Sequence, residues 1–93
     1  MPYIEPEFRE SIDRKVSELS RDLNGPGLLN YAITQLLLKY SGVDYHNICV
    51  VMGTLECVKQ EYYRRVAGPY EDYKKYLNGD VYPNTDFYNP SGG

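Results

Sequence analysis

The chain has 93 residues, a formal net charge of −3, and 42% hydrophobic and 25% charged residues. This length fits a single domain with a thin core, and such small domains often gain stability by self-association. The acidic balance argues against generic nucleic-acid binding. There is no run of ~18 apolar residues and no basic and apolar leader, so we expect a cytoplasmic protein without membrane contact.

Apolar spacing predicts two helices in the first half of the chain. The first runs from Pro6 to about residue 22 with charges on its outer face, and residues 24–27 (Asn-Gly-Pro-Gly) stop it in a turn. The second covers about residues 28–40. Its main apolar face is formed by Leu29, Ile33, Leu36, Leu37 and Tyr40. Because Tyr31 and Leu38 make it apolar on a second side as well, we expect a central helix that is also shared with another copy.

A third helix is predicted over residues 46–67, with Asp44 or Asn47 as its cap. Gly53 lies inside it at a cost of ~1 kcal/mol, which indicates either a close helix approach or tolerated strain. Gly68 and Pro69 end this helix, and Pro69 starts a short fourth helix. Asn78 and Gly79 close the fourth helix with a left-handed cap.

The predicted fold is therefore all-α: a small helical bundle of three main helices plus a short fourth helix, assembled as an oligomer. Residues 1–82 form the single helical domain, and residues 83–93 form an extended C-terminal tail because they contain two prolines and no helical period.

Neither a catalytic nor a metal-binding motif is recognisable in the sequence. Cys49 and Cys57 are about 12 Å apart along one predicted helix, too far to form a disulfide. Together with the single His46 they supply too few ligands for a metal site. No serine is arranged with a histidine and an acid for nucleophilic catalysis. We therefore expect a protein that is not an enzyme and that carries no cofactor.

The residues that could bind a ligand lie between residues 55 and 82, which are rich in tyrosine and arginine. Lys59 falls within the apolar stripe of the third helix, where it either pairs with Glu56 or looks into a pocket beside Tyr63. Arg65 follows Glu61 by one helical turn and can pair with it. Arg64 has no acid four residues before it, so it is free to meet an acid across the next turn or an external anion.

These positions suggest a pocket for a small anionic, nucleotide-like ligand. In that arrangement basic side chains hold the phosphates, aromatic rings pack on the base or ribose, and polar groups take hydroxyls or amines. The three sets are, in that order, Lys59, Arg64 and Arg65; Tyr62, Tyr63 and Tyr70; and Asn78 and Asp80. A structural network of arginine, tyrosine and acid has the same residue list.

The segments LNYAITQLLLKY at 29–40 and LECVKQEYYRRVAGPYEDYKKYLNGDVY at 55–82 carry a resemblance to a known family. With the Met-Pro-Tyr-Ile start, they resemble a family of small, uncharacterised phage and bacterial proteins, in which phenylalanine often stands at the position of Tyr62. The resemblance implies no established activity. By analogy with small helical phage proteins that sequester immune signalling nucleotides, it favours a non-catalytic binding protein acting in the host cytoplasm. The alternative is a homo-oligomeric module that binds a host or phage protein.

Overall fold

The computed structural model describes residues 3–82, which are helical apart from short connections. The helices are α1 (Pro6–Ser20), α2 (Pro26–Tyr40), α3 (Tyr45–Tyr62) and α4 (Gly68–Asn78), and a π-helical segment, Tyr63–Ala67, joins α3 to α4. The all-α class is confirmed. The predicted C-terminal tail lies outside the described residues.

The chain divides into two compact units, one up to Thr54 and one from Leu55 onward, and each is described by itself. The first contains α1, α2 and the beginning of α3. The second contains the end of α3, the π segment and α4, and it holds every residue of the predicted ligand site. The single domain over residues 1–82 stays a prediction.

Local signals place the helix starts of the first unit. Gly25 has a φ of 104°, a conformation that glycine adopts readily, and Pro26 follows as the first residue of α2. At α3, a carboxylate oxygen of Asp44 accepts the backbone N–H of Asn47 at 2.8 Å. The expected cap of this helix is thus provided by Asp44.

The apolar stripes of the first unit remain accessible. No residue among 3–82 is buried, and Ile12, Val16, Ile33 and Leu36 are all exposed. Within the described part of this unit, α1 and α2 share no extensive packing. Residues 3–54 therefore do not form the expected bundle core by themselves, because their apolar stripes do not cover one another.

The predicted break before the fourth helix is instead a π-helical connection. In a regular α-helix the ring of Pro69 would press on the carbonyl of Arg65, and proline has no N–H to donate to it. The backbone instead widens by one residue, so that the N–H of Gly68 donates to the carbonyl oxygen of Tyr63. Consequently α3, the π segment and α4 follow one another without a loop, and the described chain has three helices, one of them long.

The backbone favours glycine at both ends of α4. A Cβ added at Gly68 would lie 3.2 Å from the backbone oxygen of Tyr63, tighter than ordinary van der Waals contact. Gly79 ends the helix with a φ of 83° and a ψ of 158°, in a region that is almost exclusive to glycine. The end at Asn78 and Gly79 is as predicted, although this ψ differs from that of a left-handed helical cap.

Gly53 and Gly68 should respond differently to alanine. At Gly53 an added Cβ meets nothing within 4 Å, so no close helix approach is seen there. Gly53→Ala should therefore raise the free energy of unfolding by about 1 kcal/mol. Gly68→Ala should gain much less or lose stability, because its Cβ crowds the oxygen of Tyr63. Thermal unfolding followed by circular dichroism compares them, and equal gains would contradict the role given to Gly68.

Candidate functional site

Two arginines converge on one carboxylate at the junction of α3 and the π segment. A terminal nitrogen of Arg64 donates to both oxygens of Glu61, at 3.1 and 3.0 Å, and Nε of Arg65 donates to Oε2 of Glu61 at 3.2 Å. We call Glu61, Arg64 and Arg65 the Glu61 cluster. Residues three and four positions apart share one side of a helix, which brings both guanidinium groups to this acid.

The structure corrects the expectation for Arg64. Arg65 pairs with Glu61 as predicted, but Arg64 also has an acid of its own chain, three residues before it rather than four. Hydrogen bonds from Arg64, and more weakly from Arg65, lower the pKa of Glu61 below its ordinary 4.5, against an opposing effect of desolvation. Glu61 is therefore ionised near neutral pH, and its single charge faces two positive ones.

Lys59 is not in a semi-buried position. Its ammonium lies 3.7 Å from a carboxylate oxygen of Glu56, and both side chains are mostly exposed. Of the two alternatives for Lys59, the structure shows the ion pair with Glu56. The pair is exposed to solvent and does not border a buried core. Such a surface pair contributes little to stability, since water screens both charges.

The tyrosines of the predicted site make separate contacts. The hydroxyl of Tyr63 donates to Oε2 of Glu71 at 3.2 Å and so ties the π segment to α4. The ring of Tyr70 lies 5.7 Å from the ammonium of Lys74, within cation–π range. Tyr62, the last residue of α3, is exposed. Hence Glu71 accepts from a phenol rather than from Arg64.

Glu71 also changes the acidity of Tyr63. The hydrogen bond to its carboxylate, together with its negative charge, raises the pKa of the Tyr63 phenol above the ordinary 10.0. The neutral phenol is the form that donates, so the contact is present at physiological pH. Its contribution is complete below pH 10 and is lost as the pH rises through the raised pKa.

Asn78 and Asp80 lie at the end of α4. Asn78 is the last helical residue, and one carboxylate oxygen of Asp80 accepts the backbone N–H of Tyr82 at 3.0 Å. No hydrogen bond or ion pair within residues 55–82 joins them to Arg64 or Arg65.

Within residues 55–82, polar contacts bring only Arg64 and Arg65 of the predicted site together, and the contacts of the other site residues are made to residues outside that set. Arg64 and Arg65 meet at Glu61, and Tyr63 meets Glu71. Sequence reasoning missed Glu61 as a common partner, although its spacing of three and four residues to the arginines carried that signal. Residues 55–82 contain five acidic and five basic side chains, so this segment has no formal excess charge to attract an anion.

The described residues include neither a group of side chains placed to bind a metal ion nor a helix that could span a membrane. Residues 3–82 contain no group of three or more histidine, cysteine or acidic side chains placed to hold a metal ion. The two cysteines, Cys49 and Cys57, are exposed and unpaired thiols. None of the helices described has the length and apolarity needed to span a bilayer.

A family model described as a domain of unknown function, DUF6899, matches residues 1–81, and the chain belongs to this family. No curated protein and no solved structure matches the chain. The comparisons thus establish a family without an assigned activity, as the sequence led us to expect, and the phage origin stays a prediction.

Replacing Glu71 should make Tyr63 more acidic. Glu71→Gln leaves only a neutral, weaker acceptor and removes the nearby negative charge, so it should lower the pKa of Tyr63 toward 10.0. The Tyr63 titration is obtained by subtracting the tyrosinate absorbance of a Tyr63→Phe variant from that of its parent, with and without Glu71→Gln. Glu18→Gln on α1 is the matched control and should leave this difference curve unmoved. An unchanged curve in Glu71→Gln would show that the contact does not persist in solution.

Proposed function

We propose that this chain is a non-catalytic interaction module that assembles as a homo-oligomer through α2. The observation that supports this most directly is the exposure of α2, whose large apolar side chains are accessible on both of its apolar sides. A helix that is apolar on more than one side is normally covered by its own domain or by another chain. Since the described part of its own unit leaves α2 exposed, a second copy is the simplest cover.

The energy at stake is large for a small protein. Complete burial of a leucine or isoleucine contributes ~1.5–3 kcal/mol. Burying the exposed part of a half-exposed side chain would therefore contribute about 1 kcal/mol. Five side chains of α2 are in this state: Leu28, Leu29, Ile33, Leu36 and Leu38. Their sum of about 5 kcal/mol is comparable with the whole stability of a small domain. These side chains lie on both apolar sides of α2, so a contact on one side recovers only part of this energy. Association itself costs ~4 kcal/mol or more, so the interface must extend beyond α2.

The second unit offers side chains suited to a further partner. Tyr62, Tyr70, Tyr73 and Tyr76 are all exposed there. Tyrosine and arginine are enriched at protein interfaces, because each combines apolar contact area with polar groups. A host or phage protein is therefore the partner class that we propose for this unit.

Self-association is tested by size-exclusion chromatography with light scattering at high micromolar concentration. The proposal predicts a mass that is a multiple of the 10.8 kDa chain. A protein that is folded by circular dichroism and elutes as a clean monomer would contradict it.

A second candidate function, capture of a small anionic nucleotide-like ligand, is supported by the composition of the Glu61 cluster. Two guanidinium groups share one carboxylate there, and the Arg64 and Arg65 side chains remain 63% and 55% exposed. Surface ion pairs of this kind contribute only ~0–1 kcal/mol, so a phosphate could replace Glu61 at small cost. In a phage protein such a site would sequester a host immune signalling nucleotide.

For this second candidate, Glu61 acts as an internal competitor of the ligand. Thermal shift with cyclic nucleotides, ADP-ribose derivatives and inorganic phosphate should detect binding. Glu61→Gln should then strengthen binding, because it frees both arginines and removes a negative charge. Arg64→Ala should weaken binding about tenfold or more, since it removes a charge-assisted hydrogen-bond donor. Arg14→Ala on α1 is the matched control with the same loss of charge.

The variants also separate capture from a structural network. If Glu61→Gln lowers the melting temperature and no anion shifts any variant, the cluster is structural and the capture function is excluded. The oligomer proposal is untouched by that result. A stable protein partner recovered without added ligand would favour the interaction module.

A further inference from the structure

An apolar groove lies within the first unit, where the end of α2 meets the start of α3. It has a volume of about 230 Å³ and is open to solvent. Apolar side chains from both helices and from the connection between them form most of its wall: Leu37, Leu38, Val43, Ile48, Val51 and Met52. Ser41 and Asn47 are the polar side chains in its lining. A cavity of ~150 Å³ suffices for benzene, so this groove has room for an aromatic ring.

We infer that this groove receives Tyr31 from α2 of a second copy, in a reciprocal two-fold contact. The inference rests on the proposed self-association and assigns it a surface and an anchoring side chain. Tyr31 is 62% exposed, and its ring is a large apolar body with a polar tip. The hydroxyl can therefore remain near Ser41 and Asn47 while the ring covers the apolar wall.

Helix geometry allows both copies to make the same contact. Tyr31 and Leu38 are seven residues apart on one side of α2, about 10 Å along its axis. Two antiparallel copies of α2 that cross near Thr34 bring each Tyr31 to the Leu38 end of the other helix. Leu38 lines the groove, so a single two-fold axis fills both grooves at once.

The charge of α2 favours a second copy over a charged foreign partner. Lys39 is the one charged residue in Pro26–Tyr40, and it lies at the end of the helix. Two antiparallel copies therefore hold these lysines at opposite ends and meet no like charge in between. α1, in contrast, is densely charged and could not lie against itself in the same way.

The available area is close to what a stable dimer needs. Six exposed side chains lie on α2 or at the groove: Leu28, Tyr31, Leu38, Val43, Ile48 and Met52. At on the order of 100 Å² each, they would bury about 600 Å² per copy. Standard interfaces bury ~800 Å² per partner, so modest contacts at the rim complete the area.

A pair of matched substitutions tests the groove. Leu38→Asp puts a charge at the proposed contact and should raise the dissociation constant of the oligomer at least about tenfold in sedimentation equilibrium. Leu36→Asp makes the same change on the opposite side of α2, where the exposed fraction is similar (67% against 62% for Leu38), and should have a much smaller effect. Tyr31→Ala should weaken assembly as Leu38→Asp does.

Cross-linking keeps the test decisive if the aspartate variants fail to fold. In a Cys49→Ser, Cys57→Ser background, Thr34→Cys places a thiol near the two-fold axis and should form an inter-chain disulfide on mild oxidation. Leu36→Cys should not. If the parent protein is a monomer, the proposed self-association is itself wrong. If the parent is an oligomer but Leu38→Asp does not weaken it and Thr34→Cys does not form the disulfide, the groove contact is overturned and self-association stands. The same conclusion follows if substitutions at positions 36 and 38 have equal effects on assembly.

Discussion

Uncovered apolar surface on the first unit is the constraint on which the account depends. Helical hydrogen bonds satisfy the backbone locally, but a helix of this length gains most of its stability from the packing of its apolar side. α2 is rich in apolar side chains, and none of the described residues is buried. The chain therefore needs something to cover α2, and both the assembly and the groove contact follow from that need.

The second unit is built on a different principle, because local polar contacts hold its side chains. Glu61 takes two arginines, Glu56 takes a lysine, and the phenol of Tyr63 bonds to Glu71 across the π segment. Each of these pairs is exposed and individually weak. Such a surface can exchange its internal partners for external ones, which is why it suits a protein or an anion as a partner. Any anion at the Glu61 cluster must displace an acid that is already present.

The sequence predicted helix existence and type well, because each helix has a strong local signal. Asp44 and Gly79 mark helix ends that the structure reproduces, whereas α2 begins at Pro26, inside the segment predicted as a turn. The connection at Gly68 and Pro69 was harder to predict. A π-helical turn accommodates the proline without ending the helix, and no apolar pattern in the sequence indicates such a turn. The absence of an acid four residues before Arg64 pointed to a partner across the next turn, but Glu61, three residues before it, is also within reach on a helix. Burial could not be predicted, since periodicity shows which side of a helix is apolar but not what covers it.

Hydrogen exchange of the α2 amides at low and high protein concentration tests the central claim most directly. If a second copy covers α2, protection of Pro26–Tyr40 should increase with concentration, while protection of α4 changes little. Slow exchange of α2 that is independent of concentration would show that a single chain covers this helix by itself, and it would contradict the account.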